Sequence, residues 1–317
     1  MMMSRLLRHA VAALCLACAS AALLGAASTG AHAQARQRVV VASKIDTEGA
    51  LLGEMIVLVL ERQGIPVEDR VSLGPTNVVR TALLSGEIDI YPEYTGNGAF
   101  FHERPDDKAW TVAASAFELV KKLDKEKHNL VWLDRAPANN TWLIAVRGDL
   151  ARREHLATME DFARLAKRGG VLKLAGSAEF VESPAALPSF ERVYDFKLPR
   201  DQVVILPGGD TAVTMRAAAQ GVSGVNSAMV YGTDGAISAL DLVVMEDTRG
   251  AQIVYEPAPV VRAEVLDRYP AMAQTLSRVF SSLSLTRLQA LNAQIAVEGQ
   301  PAREVARRYL EQQGLLP

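Results

Sequence analysis

Arg38-Val-Val-Val-Ala42 is followed by Thr47-Glu-Gly-Ala-Leu-Leu-Gly-Glu-Met-Ile-Val-Leu-Val-Leu-Glu-Arg62, and together these stretches decide the fold. The first is a short apolar run of the kind that forms a buried strand. In the second, Leu51, Leu52, Met55, Leu58 and Val59 recur at helical spacing, and Gly64 follows where a cap would end the helix. Working outward, Val67 to Val71 reads as a strand and Thr76 to Ser85 as a helix stopped by Gly86. Ile88-Asp-Ile-Tyr91 reads as a strand ended by Pro92. The order β-α-β-α-β is that of a mostly parallel sheet covered by helices, an α/β fold.

The pattern recurs. Val171 to Ala175 and Val203 to Leu206 read as strands, and Leu187 to Asp195 and Thr211 to Gln220 as helices. Val225 to Val230, Leu242 to Met245 and Ile253 to Tyr255 read as further strands, and helices run from Arg262 to the end. This predicts two α/β lobes, the second inserted into the first. Residues 34–138 plus 240–317 form lobe I, and 139–239 form lobe II. Crossovers near 140 and 240 suit a hinge, and two lobes joined this way suggest a cleft that closes on a ligand.

The first 33 residues read differently. Arg5, Arg8 and His9 precede an apolar stretch from Ala10 to about Ala27, and Ala31 and Ala33 supply small residues at the end. This is the layout of a secretory signal peptide, with cleavage expected after Ala33 and after Ala35 as the alternative. A retained membrane anchor is the competing reading. Both cysteines, Cys15 and Cys18, lie in this segment. The mature chain would then hold no thiol nucleophile, thiolate metal site or disulfide. No later stretch is apolar for the ~20 residues that a membrane span needs. The formal charge of −2 argues against a nucleic-acid binder, since such proteins normally show a basic excess. An exported protein in the periplasm is expected.

Little in the sequence points to catalysis. His102, His128 and His155 are far apart and form no metal-binding pattern, so no metal and no cofactor are expected. There is no G-x-S-x-G elbow and no P-loop. Pro207-Gly-Gly-Asp-Thr211 opens a helix and reads either as an anion cradle or as a plain helix cap. Glu48, Glu54, Glu87, Asp89 and Glu93 read as solvated acidic faces.

Aromatic residues make up only 6% of the chain, so their placement is informative. Tyr91 and Tyr94 lead into Thr95-Gly-Asn97, and Asn139-Asn-Thr-Trp142 leads into the apolar run Leu143 to Val146. Tyr231 precedes Gly-Thr-Asp-Gly235, and Tyr255 precedes Glu-Pro-Ala-Pro259. Ligands of open α/β sheets bind beyond the carboxyl ends of strands, so these aromatics point to a ring-lined cleft. A quaternary ammonium has no N–H to donate, and ring faces are its natural partners, at ~0.5–2 kcal/mol per contact.

On these residues the chain resembles the substrate-binding proteins of osmoprotectant ABC importers, the glycine betaine/choline/carnitine/proline betaine class. The residues that carry the likeness are Ala42-Ser-Lys44, Ser85 to Gly96, Asn139 to Trp142, Tyr231 to Gly235 and Tyr255 to Val261. Ser43 to Gly53 and Tyr94 to Phe101 place it nearest the periplasmic glycine betaine-binding subgroup. The resemblance implies a two-lobe, type II periplasmic-binding-protein fold with crossover strands as hinge. It implies an aromatic cage of Tyr94, Trp142, Tyr231 and Tyr255, with Lys44 and Asn97 meeting the ligand's carboxylate. Trp142 stands where many members have Tyr, and Ser183 stands where members commonly carry an arginine. A serine hydroxyl replaces a bidentate fork there, which favours weaker carboxylate recognition or a ligand without a carboxylate, such as choline. The expected partner is an ABC permease in the membrane, served by a monomer that is not an enzyme. A sensory protein delivering ligand to a membrane receptor is the alternative.

Overall fold

The computed structural model describes residues 38–206 and 211–316. The expected signal peptide with its cleavage site, and the loop from Pro207 to Asp210, lie outside these residues.

Among the described residues, ten strands form two five-stranded sheets. The strands are β1 (Val39–Lys44), β2 (Val67–Gly74), β3 (Ile90–Tyr94), β4 (Leu130–Trp132) and β5 (Trp142–Arg147). They continue with β6 (Leu174–Ser177), β7 (Val203–Leu206), β8 (Ser227–Tyr231), β9 (Leu242–Val244) and β10 (Pro257–Arg262). The first sheet has the order β2-β1-β3-β10-β4 and the second β7-β6-β8-β5-β9. Each sheet has three parallel strands beside one antiparallel strand, β10 in the first and β5 in the second. In both cases that antiparallel strand is the first one laid down after the chain crosses from the other sheet. This is the two-lobe, type II periplasmic-binding-protein architecture.

The Thr47–Arg62 helix forms as its periodicity predicts. Asp46 caps it by accepting from the Gly49 N–H at 2.7 Å. Leu51, Leu52, Met55, Ile56, Val57, Leu58, Val59 and Leu60 are all buried, so the helix is enclosed on nearly every side. The C-terminal helices, including Ala271–Ser281 and Ala302–Gln312, pack around it through Met272, Leu276, Phe280 and Leu310. Gly86 ends the Thr76–Ser85 helix in the left-handed region, at φ 79°. The second sheet has its own core around Phe162, Phe180 and Phe190.

Three readings are corrected. The strand at Leu242–Val244 pairs with β5 and belongs to the second sheet, so residues just after 240 do not yet return to the first. Ile253 to Tyr255 is not a strand, and pairing starts at Pro257. Pro92 does not end its strand either; it lies inside β3, opposite Pro259. The Thr95 N–H bonds the Glu256 carbonyl at 3.1 Å, and the Arg262 N–H bonds the Asp89 carbonyl at 3.1 Å. Counting in from those pairs, Pro92 and Pro259 meet at a non-hydrogen-bonded position of the antiparallel ladder, where neither needs an N–H toward the other. On its other side β3 pairs with β1 at Ile90, two residues before Pro92.

The two crossovers run side by side. The Ala136 N–H bonds the Pro257 carbonyl at 2.8 Å and the Asn140 N–H bonds the Tyr255 carbonyl at 2.9 Å. The Tyr255 N–H bonds Asn139 Oδ1 at 2.8 Å, and Thr141 Oγ1 donates to the Ile253 carbonyl at 2.7 Å. These bonds tie the segments carrying Trp142 and Tyr255 to each other.

Candidate functional site

The site grows from the ends of β1 and β3. Side chains alternate along β3, so Tyr91 and Glu93 share one face and Tyr94 takes the other. Glu93 is fully buried. Its Oε1 accepts from Lys44 Nζ at 2.7 Å, Asn97 Nδ2 at 2.7 Å and the Tyr94 N–H at 2.6 Å. Its Oε2 accepts from the Tyr91 hydroxyl at 2.7 Å. A buried carboxylate is tolerated only with such partners. The Lys44 ammonium also lies 4.5 Å from the centroid of the Tyr94 ring.

On the other face, the Tyr94 hydroxyl donates to Glu48 Oε1 at 2.9 Å. Glu48 sits in the first turn of the Thr47–Arg62 helix and is buried. It also accepts from Asn140 Nδ2 at 3.1 Å and Asn292 Nδ2 at 2.7 Å. Burial pushes its carboxyl up to about 7, against the pull of hydrogen bonds from Thr233, Asn292 and Tyr94. Burial beside the Glu48 carboxylate raises the Tyr94 phenol well above its ordinary value, so it stays a neutral donor.

The other aromatic residues come from the crossovers and the second sheet. Trp142 and Tyr231 are directly opposite in the β5–β8 ladder, and their rings stack with centroids 6.3 Å apart. The edge of Phe180 meets Trp142 at 6.1 Å. The Trp142 indole N–H is buried and has no hydrogen-bond partner among the described residues. Tyr255 lies against Gly96, where a Cβ would come within 2.8 Å of its ring carbons. Burial raises the phenols of Tyr231 and Tyr255, and for Tyr255 the neighbouring Tyr231 and Glu93 add to the effect. The structure thus gathers Tyr94, Trp142, Tyr231, Tyr255, Lys44 and Asn97 around the crossovers.

Two expectations change in detail. Lys44 and Asn97 are not idle donors, because both are bonded to Glu93. Ser183 ends the Ala178–Glu182 helix, and its hydroxyl accepts from the Ala185 N–H at 3.4 Å. The reading of Glu48, Asp89 and Glu93 as solvated acids is overturned, since all three are buried. Alternation held the missed signal: a carboxylate two residues after Tyr91, in a strand flanked on both sides, has to face a buried partner. Among the described residues no group of three or more His, Asp or Glu side chains could hold a metal. No helix among them is long and apolar enough to cross a membrane.

Two α/β lobes with a polar and aromatic cluster at their paired crossovers define the class of two-lobe solute-binding proteins. The chain belongs to the family of substrate-binding domains of ABC-type glycine betaine transport systems, whose model matches residues 37–312. It is 57% identical over 281 residues to the glycine betaine-binding protein YehZ of Escherichia coli K12, covering 89% of this chain and 92% of that one. It is 31% identical over 320 residues to a glycine-betaine-binding protein of Pseudomonas aeruginosa, covering 99% and 96%. The apo structure of YehZ from E. coli superposes with a TM-score of 0.80 at 57% identity, covering 88% of this chain and 99% of that one.

Proposed function

We propose that this chain captures glycine betaine between its lobes and delivers it to an ABC permease, after export to the periplasm. The observation that carries the reading is the gathering of Tyr94, Trp142, Tyr231 and Tyr255 at the crossovers. Ring faces from both lobes are what a trimethylammonium group needs. Relatives that cover most of this chain are named for glycine betaine binding. A ligand that touches both lobes only when they are closed shifts the open–closed equilibrium toward the closed form. The closed form is what the permease would recognise.

Lys44 favours a second reading. Its ammonium is already paired with Glu93 at 2.7 Å, and Ser183 supplies no fork. A ligand carboxylate therefore competes with Glu93 for Lys44, whereas choline makes no such demand. Calorimetric titration with glycine betaine and then choline, at fixed salt, tests both readings. Saturable betaine binding that falls in Tyr94→Ala supports the first. Choline binding without betaine binding would replace it with the second, and no binding of either would overturn both.

A further inference from the structure

Glu48 is the point where three parts of the molecule meet. Its Oε1 accepts from the Tyr94 hydroxyl, on β3, and from Asn140 Nδ2, on the crossover that leads to Trp142. Its Oε2 accepts from Asn292 Nδ2, on the Leu285–Ala296 helix. That same Asn292 nitrogen donates to the Thr233 carbonyl at 2.9 Å, in the turn that follows Tyr231. Gln289, one turn earlier on the helix, donates to the Gly232 carbonyl at 2.8 Å. The close fit leaves no slack: a Cβ on Gly232 would strike the Asn139 carbonyl, and one on Gly235 would strike the backbone of Ala293. One buried carboxylate thus joins the Tyr94 ring, a crossover and, through Asn292, the turn beside Tyr231.

We propose that Glu48 is a positioning residue for the aromatic site and that it makes ligand capture proton-linked, the ionised form favouring the bound state. The inference rests on the reading of Tyr94 as a face of the cage. Three physical effects share one sign. The carboxylate fixes the Tyr94 ring by accepting its O–H more strongly than the neutral acid would. That bond pushes electron density into the ring and strengthens its hold on a cation. The negative charge itself attracts a quaternary ammonium in a buried setting.

The surroundings allow Glu48 to change state. Asn140 Oδ1 and Asn292 Oδ1 are both buried without a hydrogen-bond partner among the described residues. Either amide, turned about, offers an acceptor to a protonated Glu48. Burial places the carboxyl at about 7, within reach of ordinary pH. The charged group that acts on it from its own helix is the cap Asp46, which raises it further. From β3 it faces the Tyr94 phenol, and beyond that ring lies the neutralised Lys44–Glu93 pair. Asn140, Thr233 and Asn292 complete the surroundings and carry no charge. In the turn, Asp234 accepts from the Tyr231 N–H, and on the C-terminal helix Arg287 bonds Ser282, Tyr309 and Gln313 instead.

Linkage supplies the test. If the proton opposes binding, binding must release the proton, by reciprocity. Glycine betaine would be titrated calorimetrically at about pH 6.5 in buffers of different ionisation enthalpy, and affinity followed from pH 5.5 to 8.5. The wild-type protein should release a measurable fraction of a proton and gain about fivefold or more in affinity as pH rises. Glu48→Gln, close in shape and always neutral, should release none and show a flat profile. Tyr94→Phe should keep the ring but lose part of the pH dependence. A wild-type profile as flat as that of Glu48→Gln overturns the proposal while leaving betaine binding in place. A ligand-free readout separates the two ideas. The NMR shifts of the Tyr94 ring should titrate near neutral pH in the wild type and not in Glu48→Gln. Their failure to titrate overturns the positioning role whether or not betaine binds, and absent binding alongside a clean titration would sink the cage reading alone.

Discussion

Lys44 and Glu93 form a buried ion pair, Nζ to Oε1 2.7 Å, at the end of two adjacent parallel strands. Glu93 keeps three other donors, from Tyr91, Tyr94 and Asn97, whereas Lys44, among the described residues, has besides Glu93 the face of the Tyr94 ring. The pair is therefore asymmetric. Removing the lysine leaves a carboxylate still well bonded, and neutralising the glutamate leaves an ammonium that is buried and available.

That asymmetry predicts how Glu93→Gln behaves. The variant should shift the ratio of glycine betaine to choline affinity toward betaine, because Lys44 is released to meet a carboxylate. Competitive titration of the two ligands checks it, and an unchanged ratio would show that Lys44 does not reach the ligand. Lys44→Met should cost about 3 kcal/mol of stability, near the low end for breaking a buried pair, measured by urea unfolding.

Gly96→Ala isolates the role of Tyr255. No left-handed backbone is required at Gly96, and the new methyl would meet the Tyr255 ring carbons and Ile253 at 2.8 Å. Moving the ring should cost about 1 kcal/mol of cation–π contact, roughly a fivefold loss in betaine affinity. Calorimetry on the variant, with its melting curve as control, provides the check.

Glu48 also predicts a pH dependence of stability. The folded carboxyl holds its proton more tightly than the unfolded one, at about 7 against 4.5. Its contribution is fully present below 4.5 and is lost as pH rises toward 7. The difference in unfolding free energy between wild type and Glu48→Gln should therefore move against the wild type across that window. The change should be roughly 3 kcal/mol and level off above it. Paired urea titrations from pH 4.5 to 8 measure it, and the comparison cancels the other carboxylates.

Asp124 should matter for stability rather than binding. It is buried and accepts from Arg80 Nη1 at 2.9 Å and Nη2 at 2.5 Å, and from the Trp132 indole at 2.7 Å, with His102 Nε2 at 3.1 Å. Those hydrogen bonds and the Arg80 charge outweigh its burial and hold the carboxyl below its ordinary value. Its contribution is thus present above the unfolded value of 3.8 and fades as pH falls through the folded one. Asp124→Asn leaves a buried guanidinium unpaired and should cost about 3–5 kcal/mol, read from the urea midpoint, with betaine affinity unchanged.

Much of this molecule is local, and local features are legible in sequence. The Thr47–Arg62 and Thr76–Ser85 helices fall where periodicity and glycine caps put them, because helix hydrogen bonds close within the segment. The strand boundaries at Trp142 and Tyr231 are also legible, since turn residues punctuate them. Strand partners are not. Leu242–Val244 joins the second sheet, and Pro257 and Pro259 sit in a strand, because pairing depends on which neighbour leaves an N–H unused.

The sequence by itself determined the two α/β units and the aromatic residues at strand ends, through periods and turn chemistry carried within a few residues. Only the tertiary structure decided that Lys44 spends its charge on Glu93, 49 residues away, and that Glu48 meets Asn292, 244 residues away. Burial and charge pairing are set by what packs nearby in space, and chain spacing carries no record of that. A glutamate at a helix start looks the same in sequence whether water or three amide and hydroxyl donors surround it.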